Sequence, residues 1–256
     1  MTQPERHSSA AIIRPYQIGD EIAINDSFNR VFGLCRPLAD WLRKFATPWQ
    51  PEKFISLALQ QAANPASPEV VAQFATLPLR MQCDGALLLG AQGVDAFSMP
   101  HIRTTRLYPR TVEHFFAHFV ENGPVEYVYG FAGTRNTQLL VRHHHFQTTQ
   151  QAPLWQRSHW PWRYRLPLPA FGLRVQEGFS AELHERLWHA CRARYRFCTI
   201  RDALYYQYRF PAESGLYRHF VCIGREGPQA GVVVRELHGL LTVVDWLWDG
   251  ADSRAI

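Results

Sequence analysis

The chain has 256 residues, 46% of them hydrophobic and 19% charged, and a formal net charge of +5. It is long enough for one large domain or two small ones, has the composition of a soluble globular protein, and its mild basicity favours an anionic ligand without demanding nucleic acid. No block of consecutive Lys or Arg forms a nucleic-acid arm, no apolar run approaches the roughly 20 residues of a membrane span, and the opening MTQPERHSSAA lacks the apolar core of a signal peptide. Five scattered cysteines without a C-x-x-C spacing fit reduced thiols in the cytoplasm rather than a disulfide framework or a zinc site.

Residues 1–10 read as a loose tail, followed by a strand over Ala11–Arg14 and a turn at Gln17–Asp20. Asp20 is expected to cap a helix carrying Ile22, Ile24, Phe28, Val31 and Phe32 that stops at Gly33. A second short helix, LADWLRKFATP, ends before Pro48; Phe54–Gln60 is a strand and Asn64–Pro68 a turn. VVAQFATLPLRM and ALLLGAQGVDAFSM read as two strands joined by a hairpin at Cys83-Asp84-Gly85. Pro78, Gly90 and Gly93 predict bulges or splaying rather than a regular ladder.

The joint MPHIRTTRLYPRTVEHFFAHFVENG, Met99–Gly123, carries the strongest functional signal. A strand stops at Pro100 and a helix starts near Pro109, with Arg103-Thr104-Thr105-Arg106 between them. Unpaired amides and the dipole make such a helix start an anion site. Pro109 suits a first helical position and Gly123 the residue past the end, while Val112, Phe115, Phe116 and Phe119 form one apolar face. A strand, VEYVYGFA, and a helix over Thr134–His145 follow. The order β-α-α-β-β-β-α-β-α is that of a mixed α/β layer structure.

Gln150–Pro169 interleaves Trp, Pro and Arg. That pattern can stack on nucleic acid, but its prolines favour an extended crossover packing its Trp on both halves. Glu182–Tyr195 is an amphipathic helix. LRKFATP at 42–48 and YYQYRFP at 205–211 each place an aromatic three residues before a proline, an offset of 163 from Pro48 to Pro211. GVVVREL echoes VVAQFAT, and LLTVVDWLW echoes LLLGAQGVDAF at an offset of 150, from Asp95 to Asp245. Helix, helix, strand, strand, strand thus occurs twice. The second copy stops at Asp249 without the turn and helix of residues 100–123.

IIRPYQIGDEIAINDSFNRVFG, the hairpin–turn–helix stretch VVAQFATLPLRMQCDGALLLGAQGVDAFSMPHIRTTRLYPRTVEHFF and VYGFAGTRNTQLLVRHHHFQ resemble, in that order, the GNAT superfamily of N-acetyltransferases. More narrowly they resemble bacterial proteins with a GNAT unit followed by a second, partial one. The resemblance implies a mixed, mostly antiparallel sheet with flanking helices and a partial second repeat, divided as a GNAT-like acyltransferase domain over 1–149, a Trp/Pro-rich linker over 150–175 and a partial unit over 176–256. It implies that Ala96, Phe97 and Ser98 receive the pantetheine arm of acetyl-CoA or another acyl-CoA like an added strand, and that Arg103, Thr104, Thr105, Arg106, Leu107 and Tyr108 wrap the pyrophosphate. The family's turn reads Q/R-x-x-G-x-G/A, so its two small positions are here Arg106 and Tyr108. At the last helix Thr134 and Val141 stand where relatives often have Asn and a general-acid Tyr.

Two readings of Asp95 stay open: a base, acting through water, or an orienting group for a bulge, which Asp245 in the second copy favours. His143-His144-His145 point 100° apart on a helix and form no metal site. His101 lies beside the turn as a proton carrier or phosphate contact, and Glu21, Asp26 and Asn29 occupy the first helix as a solvated face or an acceptor cleft. The expected function is acyl-CoA-dependent N-acyl transfer to a small-molecule amine. Its alternatives are a catalytically degenerate binding or assembly subunit, homodimeric or heteromeric through an open edge near 240–249, and an acyltransferase fed by an acyl carrier protein. No metal, nucleic acid or membrane enters the expectation.

Overall fold

The computed structural model describes residues 11–60, 68–149, 172–237 and 239–250. The expected tail at 1–10, the turn residues before Pro68 and the Trp/Pro/Arg stretch from Gln150 lie outside the described residues. The chain divides into two compact units, Met1–Arg80 with Leu88–Gln151, and Met81–Leu87 with Ala152–Ile256.

In the first unit β1 (Ile12–Pro15), α1 (Asp20–Phe32), α2 (Leu38–Lys44), β2 (Ile55–Gln60), β3 (Glu69–Cys83), β4 (Ala86–Ser98), α3 (Leu107–Phe115), β5 (Tyr127–Gly130) and α4 (Thr134–His143) follow in turn. β3 passes out of this unit at Arg80 and β4 enters it at Leu88. The strands lie in the order β1-β2-β3-β4-β5. β1/β2 and β2/β3 are antiparallel, and β4/β5 is parallel. β2 and most of β3 are buried on both faces, which is why they read as near-continuous apolar runs. Ile55, Leu57 and Leu59 alternate with Phe54 and Ala58 along β2. The first set packs with Ile24, Phe28, Trp41 and Phe45 of the α1–α2 side, the second with Val112, Phe115 and Phe119 of the α3 side. Each of these large side chains contributes roughly 1.5–3 kcal/mol by leaving water.

Several local expectations are corrected. Gly19, at φ +104°, stands at the N-cap of α1; the Asp20 carboxylate is instead taken by the Arg14 guanidinium, at 2.6 and 2.8 Å, and by the Gln17 amide at 2.7 Å. α3 starts at Leu107, because the Thr105 hydroxyl accepts the Leu107 N–H at 3.2 Å; Pro109 sits third, still in the first turn where its missing N–H costs nothing. α3 runs on into a π-helical segment, Phe116–Glu121. Gly123 is not left-handed: it is needed because a Cβ there would lie 2.5 Å from the Phe119 carbonyl oxygen. Pro78 makes no bulge in the β2–β3 register, whose irregularity falls at Ala58/Leu59; it lies past Ala75, where pairing with β2 ends.

In the second unit Asp84, at φ +49°, and Gly85, at φ +85°, form the two-residue turn of the β3–β4 hairpin. Met81–Cys83 at the end of β3 pair antiparallel with β7 (Phe197–Thr199), and the Gln82 amide donates to the Arg192 and Tyr195 carbonyls at 2.8 and 2.6 Å. A four-stranded antiparallel sheet has the order β6 (Arg174–Glu177), β8 (Tyr217–Gly224), β9 (Gly227–Leu237), β10 (Leu240–Trp248), with α5 (Ala181–Cys191) and α6 (Ala203–Arg209). This is the order of β1-β2-β3-β4. The repeat holds, but its helical register is corrected. α2 and α6 match at an offset of 165, which aligns Arg36 with Arg201, Trp41 with Tyr206, Lys44 with Arg209 and Phe45 with Phe210. Both aligned pairs of aromatics are buried.

Candidate functional site

β4 organises the site. It pairs with β5 only over Gly90–Gly93, against Tyr127–Gly130. β5 then ends while β4 continues to Ser98. Among the described residues the β5-facing edge of β4 beyond Gly93 has no strand partner.

Two residues past the parting, Asp95 has φ +47°, a left-handed conformation that L-residues adopt at a cost. Arg36 Nη1 donates to its Oδ2 and Lys44 Nζ to its Oδ1, each at 2.6 Å, while Gln73 Nε2 donates to its backbone carbonyl at 2.8 Å. Arg36 is itself held. Its Nε donates to Asn25 Oδ1 at 2.8 Å, its backbone N–H to Asn29 Oδ1 at 2.9 Å, and its carbonyl accepts from both asparagine amides. Its guanidinium lies 3.8 Å above the Phe28 ring. Both oxygens of Asp95 are therefore committed to cations. These contacts favour the orienting reading: a clamp that fixes the bend by which β4 leaves β5. The second unit carries the same device. Asp245 stands at the irregularity in the β9–β10 register, with Arg201 Nε 3.1 Å from Oδ1 and the Tyr205 hydroxyl donating to Oδ2 at 3.0 Å.

After β4 the Met99 N–H donates to the Val71 carbonyl at 2.8 Å, and the chain makes a 3-10 turn over Pro100–Ile102. The turn largely closes on itself. The amides of Ile102, Arg103 and Thr105 donate to the carbonyls of Met99, Pro100 and Ile102. Those of Thr104, Arg106 and Tyr108 have no partner among the described residues. The turn thus presents an incomplete row of amides, supplemented by side chains. Arg103, Arg106 and Arg110 are exposed, and among the described residues none of their guanidiniums has an ion-pair or hydrogen-bond partner. An exposed guanidinium without a partner is the group suited to meet a phosphate in a bidentate manner.

Of the residues named from sequence, Arg103, Thr104, Thr105 and Arg106 lie together on this turn, exposed. Leu107 and Tyr108 turn inward: both join the α3-side core, and the Tyr108 hydroxyl donates to Asn136 Oδ1 of α4 at 3.1 Å. Burial pushes the phenol far above its usual pKa. Tyr108 consequently places no bulk over the turn; of the two large residues at the family's small positions, only Arg106 does. Along β4 Phe97 enters the α1–α2 core, Ala96 packs against the α3 side and Ser98 is half-buried. His101 is exposed in the 3-10 turn and Val141 is exposed on α4. Glu21 accepts from the Tyr16 hydroxyl and the Gly19 amide, both at 2.8 Å; burial raises its carboxyl, but these donors and Lys53 outweigh it and leave the pKa lowered. His144 is pushed down by burial. Asn25, Arg36, Lys44 and Gln73 were missed. The aligned run Arg36…Trp41…Lys44-Phe45 and Arg201…Tyr206…Arg209-Phe210 is the signal that finds the first cation of the clamp.

Superposed on solved structures, the chain is similar to a conserved Enterococcus faecalis protein of unknown function, described as a probable N-acyltransferase. The TM-score is 0.69 at 13% identity, over 96% of this chain and 60% of that one. A GCN5-related N-acetyltransferase from Anabaena variabilis gives 0.58 at 10% identity, over 93% and 59%. The chain has a GNAT-like fold. A Saccharomyces cerevisiae N-myristoyltransferase with bound myristoyl-CoA, at TM-score 0.55 and 9% identity over 94% and 66%, shares the GNAT-like architecture. This chain spans 59–66% of the length of these three GNAT-like structures. No protein-family model and no curated protein matches its sequence. Among the described residues no helix is long and apolar enough to cross a membrane.

Proposed function

We propose that the first unit is an acyl-CoA-dependent N-acyltransferase acting on a small-molecule amine. The observation that carries this reading is the stretch of β4 after Gly93, whose edge, open among the described residues, leads directly to a turn bearing Arg103 and Arg106, which have no partner among them. An extended pantetheine arm fits such an edge as an added strand, with Ala96, Phe97 and Ser98 offering backbone groups. Its pyrophosphate meets Arg103 and Arg106, and the free amides of Thr104, Arg106 and Tyr108.

In the reaction the neutral amine attacks the thioester carbonyl carbon. A backbone N–H of the bent strand polarises the carbonyl oxygen, the C–N bond forms, the C–S bond breaks, and the departing thiolate takes up the proton shed by the amine. The clamp on Asp95 serves this step by holding the bend, not by carrying the proton.

Calorimetric titration of the full chain with acetyl-CoA tests the reading, with Arg103→Ala as the control. Loss of one guanidinium–phosphate contact is expected to weaken binding about tenfold, and added salt to weaken it further. No heat and no thermal shift with the unmodified chain would exclude acyl-CoA as the donor. Equal binding by Arg103→Ala would move the pyrophosphate away from this turn.

A further inference from the structure

The second unit holds two buried histidines in line, and their hydrogen bonds can be counted. His184 of α5 and His219 of β8 are 2% and 1% exposed. His184 Nδ1 lies 2.8 Å from the Ser180 carbonyl oxygen and His219 Nε2 lies 2.8 Å from the Phe210 carbonyl oxygen, while His184 Nε2 and His219 Nδ1 face each other at 3.3 Å. A carbonyl only accepts, so both outer nitrogens carry hydrogen. In the neutral pair the two inner nitrogens are then both bare, lone pair against lone pair. One added proton between them completes the chain of hydrogen bonds; a second would set N–H against N–H.

The surroundings offer that charge little support. Phe179 lies against both rings, and Tyr206 of α6 lies 4.6 Å from the His184 ring, with Arg201, Asp245 and Tyr205 acting on its phenol. On β9 the register places Arg235 two residues from Val233, the partner of His219, and so on the same face. The remaining titratable charges of α5 and β8 point elsewhere: Glu182 and Arg186 are exposed, Glu185 holds the Ala203 amide and lies 3.4 Å from the exposed His189, and Arg218 is paired with Glu177. In the first unit, residues at the same spacings are apolar and fully buried. Ile24 precedes Phe28 by four residues, as His184 precedes Trp188; Ile55 precedes the irregularity at Ala58 by three, as His219 precedes that at Cys222.

We propose that the His184–His219 pair is a proton-limited joint that makes the second unit acid-labile. Folded, it accepts one proton; unfolded, the two rings accept two. Burial supports the direction by pushing both imidazoles down, His184 further through His219. The unfolded state therefore binds more protons wherever free histidine is charged, below about pH 6.5. Stability is therefore lost through this pair as pH falls below that value. Each proton gained on unfolding multiplies the unfolding constant about tenfold per pH unit.

Two measurements on the full chain test this. A nitrogen-15 NMR titration of the imidazoles should find His184 as the Nδ1–H and His219 as the Nε2–H tautomer at pH about 8, and uptake of one proton by the pair on acidification while the fold stands. Urea unfolding should show the wild-type constant rising at least tenfold per pH unit faster than that of His184→Leu/His219→Ile in the acid range. Two rings titrating independently, each with its own proton in the folded chain, overturn the proposal. So do parallel pH profiles for wild type and variant; if the variant does not fold, the wild-type titration decides.

Discussion

Replacing Asp95 with asparagine separates the charge of the clamp from its backbone conformation, because asparagine tolerates the left-handed region as aspartate does. Asp95 is 8% exposed, Arg36 14% and Lys44 30%. Removing one partner of a buried ion pair costs about 3–5 kcal/mol. Lys44 is open enough to regain water, so the loss falls mainly on Arg36, and the asparagine carbonyl can still accept one bond worth about 1 kcal/mol. The expected destabilisation is thus about 2–4 kcal/mol. Urea denaturation of the full chain at neutral pH measures it, and a double-mutant cycle with Arg36→Met isolates the pair. A change within about 0.5 kcal/mol of wild type, the scale of an ordinary surface substitution, would refute the clamp and free Asp95 for a role as a base.

Two further substitutions probe the frame of the site. Gly123→Ala sets a methyl group against the Phe119 carbonyl and is expected to cost about 1–3 kcal/mol in chemical denaturation; an unchanged midpoint would show that the end of the π-helical segment yields freely. Tyr108→Phe removes the bond to Asn136 and should cost about 1 kcal/mol while leaving acetyl-CoA affinity as it was, since the phenol lies in the core. A large loss of affinity in that variant would place its hydroxyl at the ligand.

The order of elements was legible because each strand and helix announces itself locally. FISLALQ and VVAQFATLPL are largely apolar since both of their faces are covered, and Asp84-Gly85 supplies the two positive φ angles its turn requires. The contacts that shape the site were not legible. Arg36 and Asp95 are 59 residues apart, and nothing local marks them as partners. The register of the repeat was misjudged for a related reason. Pro48 and Pro211 lie in connections, which change length freely, whereas Trp41, Phe45, Tyr206 and Phe210 are tied to the core by burial. The buried aromatics were the better rulers. Tyr108 shows the same limit at one residue: as a letter in the turn it reads as an obstruction, and only the start of α3 at Leu107 directs it inward.

The recurrence of one ion pair separates what shapes the strand from what meets a ligand. Arg36 with Asp95 and Arg201 with Asp245 each tie an arginine just before a helix to an aspartate on a strand. Arg103, Arg106 and Arg110, without partners among the described residues, lie in the first unit. Loss of the ion pair can therefore be read in either unit, and loss of anion binding at this turn in the first.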